Sequence, residues 1–322
     1  MPAFKPLFRN PHLQTIAGHY WKRPPYDARF PIESRLYRTE ADVQVLVESQ
    51  RPVGQAVGEL VMVHGLEGSG RAVYIRSLSA AALSAGFAVH RFNMRTCGGT
   101  EHLCQTLYHG GLTSDLLAVV RELKNDGRGP VFLAGFSLGG NVVVKLAGEL
   151  AERGPELLRG VCAVSAPLDL AACARRVAQP DNRVYDWRFV RRMRERLRAT
   201  GRYSPQVLDG LNRVMAIDDR ITAPSFGFGD AENYYRLQSA MRYLDGLSIP
   251  VLLIYSKDDT LVPCEMFDAP AVRTNPWIER LATDYGGHLG FLGRRPHRFW
   301  LDTAIMEWVV GNSAKNHLGS TS

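Results

Sequence analysis

The chain has 322 residues, 45% of them hydrophobic and 22% charged, and a formal net charge of +7. That is ample to bury one large core, and no Gly/Ser linker, charge block or repeat divides it. No apolar run reaches the length of a bilayer span, which excludes a transmembrane segment. We therefore expect a single α/β domain over residues 1–322 that carries an insertion.

Much of the positive charge lies between Arg175 and Arg202, which reads as a solvated helix face. Charge without a recognition motif makes no case for nucleic acid. The Arg191 to Arg198 run, with Arg188, suggests instead a peripheral contact with an anionic membrane. Five cysteines, Cys97, Cys104, Cys162, Cys173 and Cys264, show no paired spacing, and an odd number cannot all pair. That usage points to a reducing, cytoplasmic setting. Met1 to Asn10 contains no apolar signal-peptide core.

Pro2 to Pro31, rich in proline and aromatics, is expected to wrap the surface. Leu36 to Glu48 suggests an antiparallel hairpin at one sheet edge. Glu59 to Val63 is a run of strand length that stops at His64-Gly65. Ala72 to Ala85 reads as a helix and Phe87 to Phe92 as a strand, followed by a glycine-bearing loop from Arg95 to Thr100. Thr113 to Lys124 has helical periodicity, with Leu116, Leu117, Val120 and Leu123 on one side; Asn125-Asp126-Gly127 ends it. Pro130 to Ala134 and Gly160 to Val164 are further strands, separated by a helix from Leu138 to Ala151. Continuously apolar strands alternating with helices imply a mostly parallel sheet covered on both faces.

From Leu170 to Leu247 the pattern is helical, basic and aromatic. A helical segment placed between sheet strands reads as a lid. Its aromatics, Trp187, Phe189, Phe226, Phe228, Tyr234 and Tyr235, are expected to pack the lid onto the core rather than line a pocket. Ile249 to Tyr255 and Ile278 to Tyr285 resume the sheet, and Phe299 to Val310 closes the chain as an amphipathic helix.

The sharpest chemical signal is Gly135-Phe136-Ser137-Leu138-Gly139, a G-x-S-x-G between a predicted strand and a predicted helix. A serine there sits on a tight turn that glycines on either side permit, and the helix N-terminus points its amides at the reacting oxygen. Serine is a weak nucleophile until a base takes its proton. His288, in Gly286-Gly287-His288-Leu289-Gly290-Phe291, follows the last predicted strand and is the candidate base. Its orienting carboxylate is sought in Ser256-Lys257-Asp258-Asp259-Thr260-Leu261-Val262-Pro263, where Asp258 and Asp259 compete. In α/β hydrolases the acid stands directly before an x-hydrophobic-Val-Pro segment. That register selects Asp259 and leaves Asp258 to cap or brace the turn. The chain order Ser137, Asp259, His288 is the order of that fold.

Acyl transfer also needs donors for a developing oxyanion. The backbone amides of Leu66, in the loop His64-Gly65-Leu66-Glu67-Gly68-Ser69, and of Leu138 are the candidates. His64 is read as shaping that loop and Cys97 as no nucleophile; Asp115 either caps the helix that follows or braces a loop near the site, and capping is the preferred reading. Asp230 is set aside as the acid. No metal-ligand spacing and no nucleotide motif occurs, so no cofactor is expected.

Asn10-Pro11-His12-Leu13-Gln14-Thr15-Ile16, HGLEGS at 64–69, Asn93-Met94-Arg95 with Gly98-Gly99, GFSLGGN at 135–141 and GGHLGF at 286–291 occur in one order. Together they resemble the YheT-like branch of the α/β-hydrolase superfamily, related to the EMB8 and ABHD1/ABHD3 proteins. The resemblance covers nearly the whole chain, and the NPHLQTI segment is its most family-specific part. It implies an α/β-hydrolase fold and carboxylic-ester hydrolysis, with Ser137, Asp259 and His288 in the triad positions and a small acyl ester or lipid as substrate. The same triad serves thioesterases and amidases, and a chain that kept the fold without catalysis would be a binding protein.

Overall fold

The computed structural model describes residues 2–23 and 29–314. Eight strands form one sheet in the order β1-β2-β4-β3-β5-β6-β7-β8. They are β1 (Glu33–Glu40), β2 (Val43–Gln50), β3 (Glu59–Val63), β4 (Ala88–Phe92), β5 (Val131–Phe136), β6 (Gly160–Val164), β7 (Val251–Ser256) and β8 (Ile278–Thr283). The expected hairpin is β1–β2, antiparallel at the sheet edge, and β2 runs antiparallel to β4. Every pairing from β4 across to β8 is parallel.

Strands β3 to β7 are buried along their whole length, which is why they read as mostly apolar runs, interrupted by Glu59 on β3 and by His90 and Arg91 on β4. Alternate residues serve opposite faces. Val61 and Val63 join one core, with α3 (Ser114–Asn125) and α4 (Leu138–Leu150). Leu60 and Met62 join the other, with α2 (Val73–Ser84) and the last helix, α8 (Trp300–Ala314). Among the described residues, no helix is long and apolar enough to cross a membrane.

Between β6 and β7 the regular elements are all helical. The longer ones are α5 (Leu170–Val177), α6 (Arg183–Ala199) and α7 (Ala231–Gln238). The insert has small cores of its own, one built on Val190, Met193, Leu197, Leu208 and Ile221. It is fastened to the sheet layer by Asn141, whose side chain is wholly buried one turn into α4. Asn141 Nδ2 donates to Gly110 O (2.8 Å) and Gln238 O (2.9 Å), and its Oδ1 accepts from Ala240 N (2.7 Å).

Two expectations change. The N-terminal segment does more than wrap the surface: Pro11–Tyr20 is a helix, α1, with Asn10 as its cap and Pro11 in its first turn. The arginine stretch is not wholly a solvated face, because Arg196 on α6 is buried. The part of Pro2 to Pro31 at 24–28 lies outside the described residues.

Candidate active site

The parallel strands deliver their C-terminal ends to one edge of the sheet, where such folds bind ligands. Ser137 turns the chain from β5 into α4 with φ 51° and ψ −123°, a left-handed conformation that few side chains adopt. Both flanking glycines have steric reasons. A Cβ on Gly135 would stand 2.3 Å from Gly139 O, and one on Gly139 would stand 2.4 Å from Val63 O. The tight turn thus lets α4 pass against β3 while its serine projects outward.

His288 Nε2 lies 2.9 Å from Ser137 Oγ. Its Nδ1 lies 2.9 Å and 3.2 Å from the two oxygens of Asp259. The contacts fit a neutral imidazole that donates from Nδ1 to the carboxylate and accepts from the serine hydroxyl at Nε2. Asp259 is 1% exposed and also accepts from the amides of Leu261 (2.9 Å) and Val262 (3.1 Å). The Leu-Val pair after the aspartate therefore supplies two donors that keep the carboxylate aimed at His288. Asp258 turns the other way and accepts from Gly287 N at 2.9 Å, so it braces the loop carrying His288. Burial raises its carboxyl above the usual range.

Gly65 packs so closely on Ser137 that an added Cβ would lie 3.0 Å from the serine Cβ. The next residue, Leu66, borders the same cavity as Leu138, Ser137 and His288. Neither the Leu66 nor the Leu138 N–H has an acceptor among the described residues. The neighbouring amides are both engaged, Gly65 N by Tyr74 Oη (3.1 Å) and Glu67 N by Tyr108 Oη (3.0 Å). His64 shapes this loop: its Nε2 accepts from Met94 N (3.2 Å) and its Nδ1 faces Gly65 O (2.8 Å). Burial depresses its pKa to about 4, so it is neutral at pH 7.

Glu67 has φ 54° and is held by a residue the sequence reading treated as solvated. Arg196 Nε donates to both Glu67 oxygens at 2.9 and 3.0 Å, and Nη1 donates to Thr96 Oγ1 at 3.0 Å. The pair is almost sealed, with 8% and 4% of the two side chains exposed. It links the insert to the loops after β3 and β4.

Two cavities meet at Ser137 and His288. One, of about 100 Å³, runs under the insert and is bordered by Leu138, Leu170, Val177, Met193, Val214 and Val262. The other, of about 720 Å³, is a groove between α1, α6 and the Gly65–Val73 loop. Of the aromatics expected to pack, Tyr234 and Tyr235 are buried in a small core with Leu170 and Ala223, and they border the smaller cavity together with Phe189. Trp187 is exposed, while Phe226 and Phe228 meet the His109 ring edge-on. Burial lowers the His109 pKa to about 3.

Other sequence assignments sort as follows. Asp115 does not cap α3; it takes Arg95 Nε (2.6 Å) and Nη2 (2.8 Å) and braces the loop after β4. Asp230 caps α7 through Asn233 N, away from His288. Cys97 is buried, which pushes its thiol far up. All five cysteines are free. Among the described residues no cluster of three or more His, Cys, Asp or Glu is disposed to hold a metal.

Residues 60–300 match the family described as the alpha/beta hydrolase family. The putative esterase YheT of Escherichia coli is 32% identical over 94% of this chain and 91% of its own length. A monoacylglycerol lipase of Saccharomyces cerevisiae is 28% identical over 75% of this chain, and the mouse phospholipase ABHD3 27% over 72%. The chain spans only 56% and 58% of the length of those two. Among solved structures, the Pyrococcus furiosus esterase Pf2001 superposes with a TM-score of 0.61 at 16% identity, over 90% of this chain and 97% of that one. Est1E from Butyrivibrio proteoclasticus gives 0.57 at 17% identity, over 87% and 98%. The elbow serine, its hydrogen-bonded histidine and aspartate, the parallel sheet and these likenesses agree: the chain belongs to the α/β-hydrolase family, in the branch of the YheT-like esterases.

Proposed function

We propose that the protein is a serine hydrolase of carboxylic esters, with Ser137 as nucleophile, His288 as base and Asp259 as its orienting acid. The observation that carries this reading is the continuous relay from Ser137 Oγ through His288 to Asp259, with steps of 2.9 Å, beside two unengaged amides. Ser137 Oγ attacks the acyl carbonyl while His288 Nε2 takes its proton. The Leu66 and Leu138 amides donate to the tetrahedral oxyanion, where preorganised donors are worth most. His288 then protonates the leaving alkoxide, and water attacks the acyl-enzyme by the same route. Asp259 stays ionised and stabilises the imidazolium.

The smaller cavity suits the acyl chain and the wide groove the alcohol. A volume of about 100 Å³ is small beside the groove's about 720 Å³ and suits the slimmer part of an ester. The acyl chain is therefore of short to medium length, and the helical insert acts as the lid that closes over it. The names of the relatives, esterase, monoacylglycerol lipase and phospholipase, support an ester or lipid substrate. Hydrolysis of p-nitrophenyl esters from acetate to palmitate, by wild type and Ser137→Ala, tests the reading. Turnover that depends on Ser137 and peaks between butyrate and octanoate is expected. Turnover that survives in Ser137→Ala would overturn it.

A further inference from the structure

The loop that carries His288 is fastened from two sides. From the sheet, Asp258 takes Gly287 N (2.9 Å) and Ser256 Oγ donates to Gly287 O (2.9 Å). From the other side stands α1, one edge of which also borders the wide groove. Thr15 Oγ1 accepts from the His288 backbone N–H at 2.9 Å. The same hydroxyl donates to Pro11 O at 2.8 Å, which fixes its rotor and leaves its lone pairs toward His288.

Gln14 is 0% exposed. Its Oε1 accepts from Leu292 N (2.9 Å), and its Nε2 donates to Leu292 O (3.1 Å) and Phe8 O (2.9 Å). The amide thus pairs with the far end of the loop as a neighbouring strand would. Backbone contact is equally close. A Cβ on Gly287 would stand 2.4 Å from Pro11 O, and one on Gly290 would stand 2.4 Å from Gln14 O. A Cβ on Gly18 would stand 2.6 Å from Gly290 Cα. On either side of Gly290, Leu289 and Phe291 hold φ of 59° and 41°, conformations that persist only where the surroundings impose them.

We propose that α1 is a clamp on the base-bearing loop, with Thr15 and Gln14 as positioning residues for His288. This rests on the reading of His288 as base. Thr15 fixes the backbone of the base itself, and Gln14 fixes the loop end four residues later. Neither touches the reacting atoms. They act by holding Nε2 toward Ser137 and Nδ1 toward Asp259, where a small misplacement is costly to rate.

The test compares Thr15→Val, Thr15→Ser and Gln14→Met with wild type on the best p-nitrophenyl ester. Turnover is normalised to the sites that a fluorophosphonate labels. Thr15→Val keeps the shape but removes the acceptor, so kcat per labelled site should fall tenfold or more with KM within twofold. Thr15→Ser should recover kcat to within threefold. In Thr15→Val the acid limb of the kcat/KM profile should move to lower pH, because an imidazolium held less firmly against Asp259 is less stabilised. Gln14→Met should give the same pattern more weakly, and it carries the test should Thr15→Val fail to fold. Unchanged kcat per site and an unchanged pH profile in the folded variants would overturn the clamp. Absence of Ser137-dependent turnover in wild type would instead overturn the reading of the site.

Discussion

Replacing Arg196 by methionine exposes how the helical insert holds the loop that presents Leu66. Wild-type Glu67 is buried, with a strained φ of 54°, and its carboxylate takes Arg196 Nε and Tyr108 Oη. Thr96, also at a positive φ of 59°, is held by the same guanidinium. Arg196 further stacks over the Tyr108 ring at 4.8 Å. Methionine keeps much of the apolar stem, so the change removes the charge and its donors more than the packing. Glu67 is then a buried carboxylate with one hydroxyl partner, and breaking such a pair costs about 3–5 kcal/mol. That is a loss of roughly 10²-fold to several thousandfold in the folding equilibrium. Urea unfolding at pH 8 measures it. The double variant Glu67→Gln, Arg196→Met should be more stable than the single one, since no charge is left buried. A single variant within about 1 kcal/mol of wild type, the range of an exposed pair, would refute the argument.

Three further outcomes follow from the same geometry. Burial raises Asp218 from 3.8 to about 6, so the folded state binds its proton more tightly than the unfolded state. The stability this gives is complete below pH 4 and lost as pH rises through 6, by about 3 kcal/mol. Asp218→Asn should lack that loss; equal pH slopes for the two proteins in urea titrations would contradict it. Asp259→Asn should lower kcat by about 10⁴-fold, whereas Asp258→Ala, which loses only a brace on Gly287, should cost far less. The reverse order in steady-state assays would transfer the acid role. Finally, Leu13, Ile16 and Tyr20 on α1 and Val184, Trp187, Arg191 and Arg192 on α6 are exposed, with the half-buried Arg188 on the same helix. Sedimentation with phosphatidylglycerol vesicles should exceed that with phosphatidylcholine and fall by about 1 kcal/mol for each arginine removed. Equal sedimentation would remove the membrane contact.

The centre of the sheet was legible because its strands are buried on both faces and so read as short, mostly apolar runs. The proposed nucleophile, base and acid were legible because each stands in a local motif whose order is informative. What stayed hidden depends on contacts between distant segments. Helix α1 has an inverted pattern: it buries Gln14 and Gly18 and exposes Leu13 and Ile16, so hydrophobic periodicity points the wrong way. Its cap, Asn10 followed by Pro11, was the available signal. Arg196 sits among arginines that do face solvent, and nothing local distinguishes it. Asp115 begins a helix and so reads as a cap, yet its partner Arg95 lies on another loop.

The most direct test is peptide mass spectrometry after incubation with a fluorophosphonate. A single adduct on the peptide containing Ser137 is expected, absent in Ser137→Ala and formed more slowly in His288→Asn. A folded wild-type protein that carries no adduct, or carries it on another serine, would contradict Ser137 as the nucleophile.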